Sequence, residues 1–335
     1  MWARQARQRK GRLRTLDADT DKSDDAQLPV AEEVAMNPIR QVLVHVDDEA
    51  LAREALHLGA AIAQSFGAQV TALLALPRLA TGAYLSAETA ALAQQLAQAQ
   101  LATQRAAAEA LVASIAAPLG CAIDLRMADA EPVEALQMHG RTADLLIVSQ
   151  QAPAGGGGLS AGQAARLLVG AGTPVLVVPH IGWGRSEARP MAGAVLQRAL
   201  VAWSDKRESA RALRDALPLL ARARQVDLVS FASEAGATAS VRVALDAAAA
   251  YLARHGVAAQ VSVLQGREPS LTERLRNGWI PDVSVAEALL SHAADVQADF
   301  IVMGGYGHAR LWEFVLGGVT RTMLASMTVP VLMSH

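Results

Sequence analysis

Three glycines near the end of the chain stand at a spacing that can do chemistry. Gly304, Gly307 and Gly317 read Gly-x2-Gly-x9-Gly, with Gly305 inside the first interval and Gly318 directly after the last. A turn this rich in glycine lets backbone N–H groups approach a ligand closely, because no Cβ stands in the way. Gly318, Val319 and Thr320 open a segment that reads as a helix to Ser326. A helix start carries N–H groups without intrahelical partners and the positive end of the helix dipole, which suits phosphate. His308 lies in the same loop, where it could contact a phosphate or be a solvated residue, and Trp312 and Phe314 read as packing residues. The alternative for the whole stretch is a strand-to-helix turn that needs glycine only for packing.

The flanks say what holds this loop. Phe300 to Met303 is a continuous apolar run, as expected of a strand buried on both faces, and Val329 to Met333 is another. The pattern upstream alternates. Strands are predicted at Gln41–Val46, Gln69–Leu76, Ala122–Arg126, Leu145–Val148 and Val175–Val178. Helices are predicted at Glu49–Phe66, from Ser86 to about Ala116, at Pro132–His139 and from about Ala161. Leu92, Leu96 and Leu101 are among the apolar positions expected in the long second helix. After a glycine- and proline-bearing linker the alternation restarts, with strands at Ala199–Trp203, Val226–Phe231 and Val261–Leu264 and helices at Arg207–Arg222, Val241–His255 and Val283–Ala294. Strands alternating with helices predict an α/β fold, a parallel sheet covered by helices on both faces.

The unit is written twice. Val44-His45-Val46 aligns with Val201-Ala202-Trp203 at an offset of 157 residues, Ala143–Val148 with Ala298–Met303 at 155, and Pro174-Val175-Leu176 with Pro330-Val331-Leu332 at 156. One nearly constant offset at three separate anchors marks a tandem duplication. The expected boundaries are a disordered tail at 1–36, a first domain at 37–180, a linker at 181–196 and a second domain at 197–335. The tail sets Arg4, Arg7, Arg9, Lys10, Arg12 and Arg14 before Asp17, Asp19, Asp21, Asp24 and Asp25, with almost nothing to bury.

Composition narrows the function classes. The 335 residues are 52% hydrophobic with a formal charge of −2, so nucleic acid is not an expected partner. Cys121 is the sole cysteine, which leaves no intramolecular disulfide or cysteine-based zinc site. No apolar run approaches the ~20 residues of a membrane helix, so no membrane role is expected. There is no Gly-x4-Gly-Lys-Ser/Thr loop, no dinucleotide fingerprint after the first strand of either half and no His-Glu-x-x-His. No nucleophile–base pair is visible.

The spacing Gly304-x2-Gly307-x9-Gly317, set between two buried strands, resembles the nucleotide-binding signature of the universal stress protein family, and the resemblance covers about residues 39 to 335. It implies two tandem doubly wound five-stranded parallel sheets (Rossmann-like, adenine nucleotide alpha hydrolase-like), each with strand order 3-2-1-4-5. It also implies ATP, with or without Mg2+, or another adenine nucleotide bound in the second half. The site residues it implies are Met303, Gly304, Gly305, Gly307, His308, Gly317, Gly318, Val319 and Thr320, with Ser204 and Asp205 from the end of the first strand of that half. Two positions depart from the family: Gly318 stands where Ser or Thr is expected, and Ser204 where Asp bonds the sugar. In the first half Asp47 keeps that position, but Gly304, Gly307 and Gly317 map to Ser149, Ala152 and Gly162. The first half is therefore expected to bind nucleotide weakly or not at all, with a flexible Gly155–Gly158 loop, and to act as a pseudo-dimer partner through the fifth strands. The expectation is a cytoplasmic stress-response protein with protein partners, and a homodimer of tandem chains as a further assembly. A nucleotide-independent scaffold and a weak nucleotide hydrolase are the alternatives.

Overall fold

The computed structural model describes residues 39–47, 49–76, 87–183, 195–232, 238–265, 281–305 and 318–335. Five strands and four helices alternate in the first half: β1 (Gln41–Val46), α1 (Glu49–Phe66), β2 (Gln69–Ala75), α2 (Ala87–Leu119), β3 (Ile123–Ala128), α3 (Pro132–Gly140), β4 (Leu145–Ser149), α4 (Ala161–Ala171) and β5 (Val175–Val178). The second half repeats the order with β6 (Arg198–Ala202), α5 (Arg207–Leu220), β7 (Gln225–Ala232), α6 (Thr238–Arg254), β8 (Gln260–Gln265), α7 (Pro281–Asp295), β9 (Phe300–Gly304), α8 (Gly318–Ser326) and β10 (Val331–Ser334).

All strands belong to one sheet of ten, ordered β3-β2-β1-β4-β5-β10-β9-β6-β7-β8. Within each half the pairings are parallel and the order is 3-2-1-4-5. The halves meet where β5 and β10 pair antiparallel, Leu176 opposite Leu332. The two expected five-stranded sheets are thus continuous, and each half covers the strand edge the other would leave with unpaired N–H and C=O groups.

The apolar strands bury both faces. Val42, Val44 and Val46 point to the side covered by α1, α2, α5 and α6, while Leu43 points to the side of α3, α4, α7 and α8. Phe300, fully buried in β9, is the largest such side chain. The duplication extends to hydrogen bonds. Asp144 Oδ2 accepts the Arg40 and Gln41 N–H groups at 2.7 and 2.9 Å, and Asp299 Oδ2 accepts those of Gln197 and Arg198 at 2.8 and 3.0 Å. Each carboxylate ties the start of its half's first strand to the start of the fourth.

Helix α2 corrects one expectation. Leu92, Leu96 and Leu101 are 57, 63 and 39% exposed, and the inward face is made instead by Ala108, Leu111, Val112 and Ile115. The reason is length. A helix of 33 residues runs ~50 Å, whereas strands of six or seven residues run only ~20–23 Å. The N-terminal half of α2 therefore outruns the sheet. Ser86, its expected cap, lies outside the described residues, as do the tail at 1–36, Asp48, most of the linker, Gly307, His308, Trp312, Phe314 and Gly317.

Candidate functional site

In each half the chain winds one way from the first strand and returns to start the fourth beside it. The crevice at the carboxyl ends of those two strands is where open α/β sheets bind ligands. In the second half it lies between β6 and β9. Ala202 ends β6, and Trp203 still donates its N–H to Val229 O at 2.7 Å. Ser204 and Asp205 then turn the chain into α5, both exposed, with Asp205 at φ 52°. An Asp tolerates this left-handed conformation better than most residues do. Ser209 closes the turn: its hydroxyl donates to Lys206 O at 2.9 Å and accepts the Lys206 N–H at 3.2 Å. Of the residues expected here, Met303 and Gly304 end β9, Gly305 follows it, and Ser204 and Asp205 lie just past the end of β6.

Gly304 has a reason to be glycine that involves no ligand. A Cβ there would lie 2.5 Å from Ser209 N and 2.6 Å from the Glu208 carbonyl carbon, so the first turn of α5 rests directly on the end of β9. Gly305 differs: an added Cβ would meet Leu168 Cδ1 at 3.5 Å, an ordinary contact, and its N–H is donated to Ser334 O at 2.9 Å. Helix α8 begins at Gly318. Val319 is half-buried and Thr320 is 4% exposed within its first turn.

Two buried polar groups flank Gly304 on neighbouring strands. The Trp203 indole N–H and the Ser334 hydroxyl have no hydrogen-bond partner among the described residues, and Ser334 is paired with Gly304 in register. Sequence reasoning passed over Trp203, Glu208 and Ser209. Glu208 is 8% exposed, with its carboxylate 3.1 Å from the Arg207 guanidinium. A signal existed: Glu208 and Ser209 precede the buried Ala212 and Leu213 by one helical turn, which places them on the inward face.

At the equivalent crevice of the first half the chain bonds across to itself. Asp47 Oδ2 accepts the Gly158 N–H at 2.5 Å. Gly158 has φ +83°, and a Cβ on it would lie 2.7 Å from Gln150 O. Leu159 N–H donates to Ser149 O at 2.8 Å, Gln151 N–H donates to Leu159 O at 3.0 Å, and Ser160 caps α4 through a reciprocal bond with Gln163. The loop expected to be flexible is instead tied down at its end, where these bonds hold Gly158 and Leu159 and engage Asp47.

His45 lies on β1 two residues before Asp47, 1% exposed, with no hydrogen bond to either ring nitrogen among the described residues. Burial holds its imidazole below the usual histidine range, and the Asp47 carboxylate 3.8 Å away acts in the opposite direction. Burial also lowers His57, opposed by Glu54 and assisted by Arg53. The unfolded chain takes up these protons near pH 6.5 and the folded chain resists them. The stability they contribute is therefore present above pH 6.5 and is lost as pH falls towards the folded values, at up to about 1.4 kcal/mol per pH unit for the buried His45 and less for the partly exposed His57. His45→Leu removes two unsatisfied nitrogens, so it is expected to match or exceed the wild type at pH 7.5 and to flatten the acid limb. Urea unfolding between pH 7.5 and 5 measures this, and an unchanged acid limb counts against it.

The universal stress protein family model matches residues 38–179 and 196–335. The chain belongs to the universal stress protein family. Both matched segments carry the complete five-stranded unit, so this is a tandem member. Among solved structures, a universal stress protein from Archaeoglobus fulgidus matches with 14% identity over 88% of this chain and 95% of that one, at TM-score 0.59. A putative universal stress protein from Pseudomonas aeruginosa matches with 18% identity over 90 and 94%, at TM-score 0.53. At these identities the likeness shows the shared two-unit fold. A universal stress protein solved in complex with cAMP matches 42% of this chain and 98% of its own, with 20% identity and a TM-score of 0.33, too low to bear on this chain's ligand. No curated protein matches the sequence. No helix among the described residues is long and apolar enough to cross a membrane.

Proposed function

We propose that this universal stress protein binds ATP, with or without Mg2+, or another adenine nucleotide in its second half, at the β6–β9 crevice. The observation that carries this reading is the contrast between the halves. Ser204 and Asp205 stand exposed at the second crevice, while at the first the equally exposed Asp47 is already engaged by the Gly158 N–H. Ser204 and Asp205 offer acceptors to sugar hydroxyls. The loop from Gly304 through Gly307 and His308 to Gly317, and the first turn of α8 from Gly318 to Thr320, form the phosphate end. The Arg207 guanidinium beside Glu208 offsets a carboxylate that would otherwise oppose phosphate. The chain then acts in the cytoplasm as a regulatory partner of other proteins, with residues 37–180 and 197–335 as its two domains and with a homodimer as a further assembly.

The test is release of nucleotide from freshly purified, denatured protein, followed by calorimetric titration with ATP and Mg2+. The expected result is saturable binding of one nucleotide per chain, lost in Gly307→Val. An empty protein that gives no heat up to millimolar ATP overturns the proposal.

A nucleotide-independent scaffold is the second reading, and Glu208 favours it. A carboxylate buried in the first turn of α5, against Gly304, already occupies the positive end of that helix.

A further inference from the structure

The position that is Gly305 in the second half is Gln150 in the first, at the same offset of 155 residues. Gln150 is 4% exposed at the end of β4 and is held by its own backbone, whose N–H donates to Val178 O at 2.8 Å. Its carboxamide reaches across the junction of the halves. The Nε2 group donates to Leu324 O of α8 at 2.8 Å, while Oε1 accepts the His180 backbone N–H at 3.0 Å and lies 3.0 Å from His180 Nδ1.

Leu324 is in the last turn of α8, where carbonyls lack an intrahelical donor. Met323 O is satisfied by the Met327 N–H at 2.9 Å, and Leu324 O by Gln150. The matching position of the second half offers no side chain for this. Gly305 faces Leu168 of α4 without a side chain, and α4 ends on its own left-handed Gly172 at φ 68°. The first half therefore grips α8 through Gln150, whereas the second half meets the end of α4 from a different position, through Arg211, whose guanidinium donates to Gly172 O at 3.4 Å.

We propose that Gln150 is a positioning residue through which the first half sets α8, and with it the phosphate end of the second half's site. The amide orientation is chosen by His180, whose backbone N–H selects Oε1 and turns Nε2 towards Leu324 O. The loss of the first half's glycine turn is what makes this possible, since a glycine at 150 has no amide to offer. The link to phosphate rests on the nucleotide reading above. The grip on α8 does not.

Hydrogen exchange on the full chain tests both parts. Gln150→Met keeps the side-chain volume and removes every carboxamide bond, and Gln150→Glu keeps the shape but loses the donor to Leu324 O. In both variants exchange across α8 is expected to rise about tenfold, while α1 is unchanged. Wild-type exchange in α8, or equal acceleration in α1 and α8, overturns the proposal. Coupling is reciprocal, so saturating ATP should protect the His180 N–H in wild type and not in Gln150→Met. Protection that persists in the variant also overturns it. A wild type that binds no ATP removes the nucleotide reading alone and leaves the apo comparison to decide whether Gln150 positions α8.

Discussion

Gly304→Ala is expected to lower folding stability by about 2–3 kcal/mol and Gly305→Ala by less than about 1 kcal/mol. The two glycines are neighbours in one motif, so a difference this large isolates the cause. At Gly304 the added carbon meets backbone, Ser209 N at 2.5 Å and the Glu208 carbonyl carbon at 2.6 Å, and backbone in the first turn of a helix cannot step aside cheaply. At Gly305 it meets the end of the flexible Leu168 side chain at 3.5 Å. Urea unfolding of the two variants measures the difference. If Gly304→Ala folds with wild-type stability and loses only ligand, then α5 does not rest on β9 as described. Gly304→Val deepens the loss, because its branched side chain adds two further methyl groups against the same turn.

Asp299→Ala is expected to lose about 3 kcal/mol and Asp144→Ala about 1 kcal/mol. Both carboxylates accept two backbone N–H groups at 2.7–3.0 Å, so the native bonds are nearly the same. Burial separates them. Asp299 is 7% exposed, and its removal strands the Gln197 and Arg198 N–H groups where water enters poorly. Asp144 is exposed, and water can take its place at Arg40 and Gln41. Equal losses in the two variants, measured by chemical denaturation, would show that burial is not the deciding factor.

These two pairs mark how far the chain was legible before its structure. Apolar runs and helical spacing located the strands and helices, because burial on one or both faces imposes a period on residues that are close in sequence. The offset that aligned Ala143-Asp144 with Ala298-Asp299 revealed the duplication, and the glycine spacing marked the turn after β9. The same reasoning placed Leu92, Leu96 and Leu101 among the apolar positions of α2 without showing that this helix outruns its sheet, because periodicity carries no information about how far a neighbouring strand extends.

Composition and local period thus determined the class of each segment, the repeat and the end of the sheet where a ligand can bind. Only the tertiary structure decided that β5 and β10 join the halves into one sheet, that Asp47 accepts the Gly158 N–H across the first crevice, that Gly304 is needed by α5, and that Gln150 bonds the end of α8. Asp47 and Gly158 are 111 residues apart, and Gln150 and Leu324 are 174 apart. Bonds over such separations depend on the register of strands and the crossing of helices, and no period along the chain records which distant donor will face which acceptor.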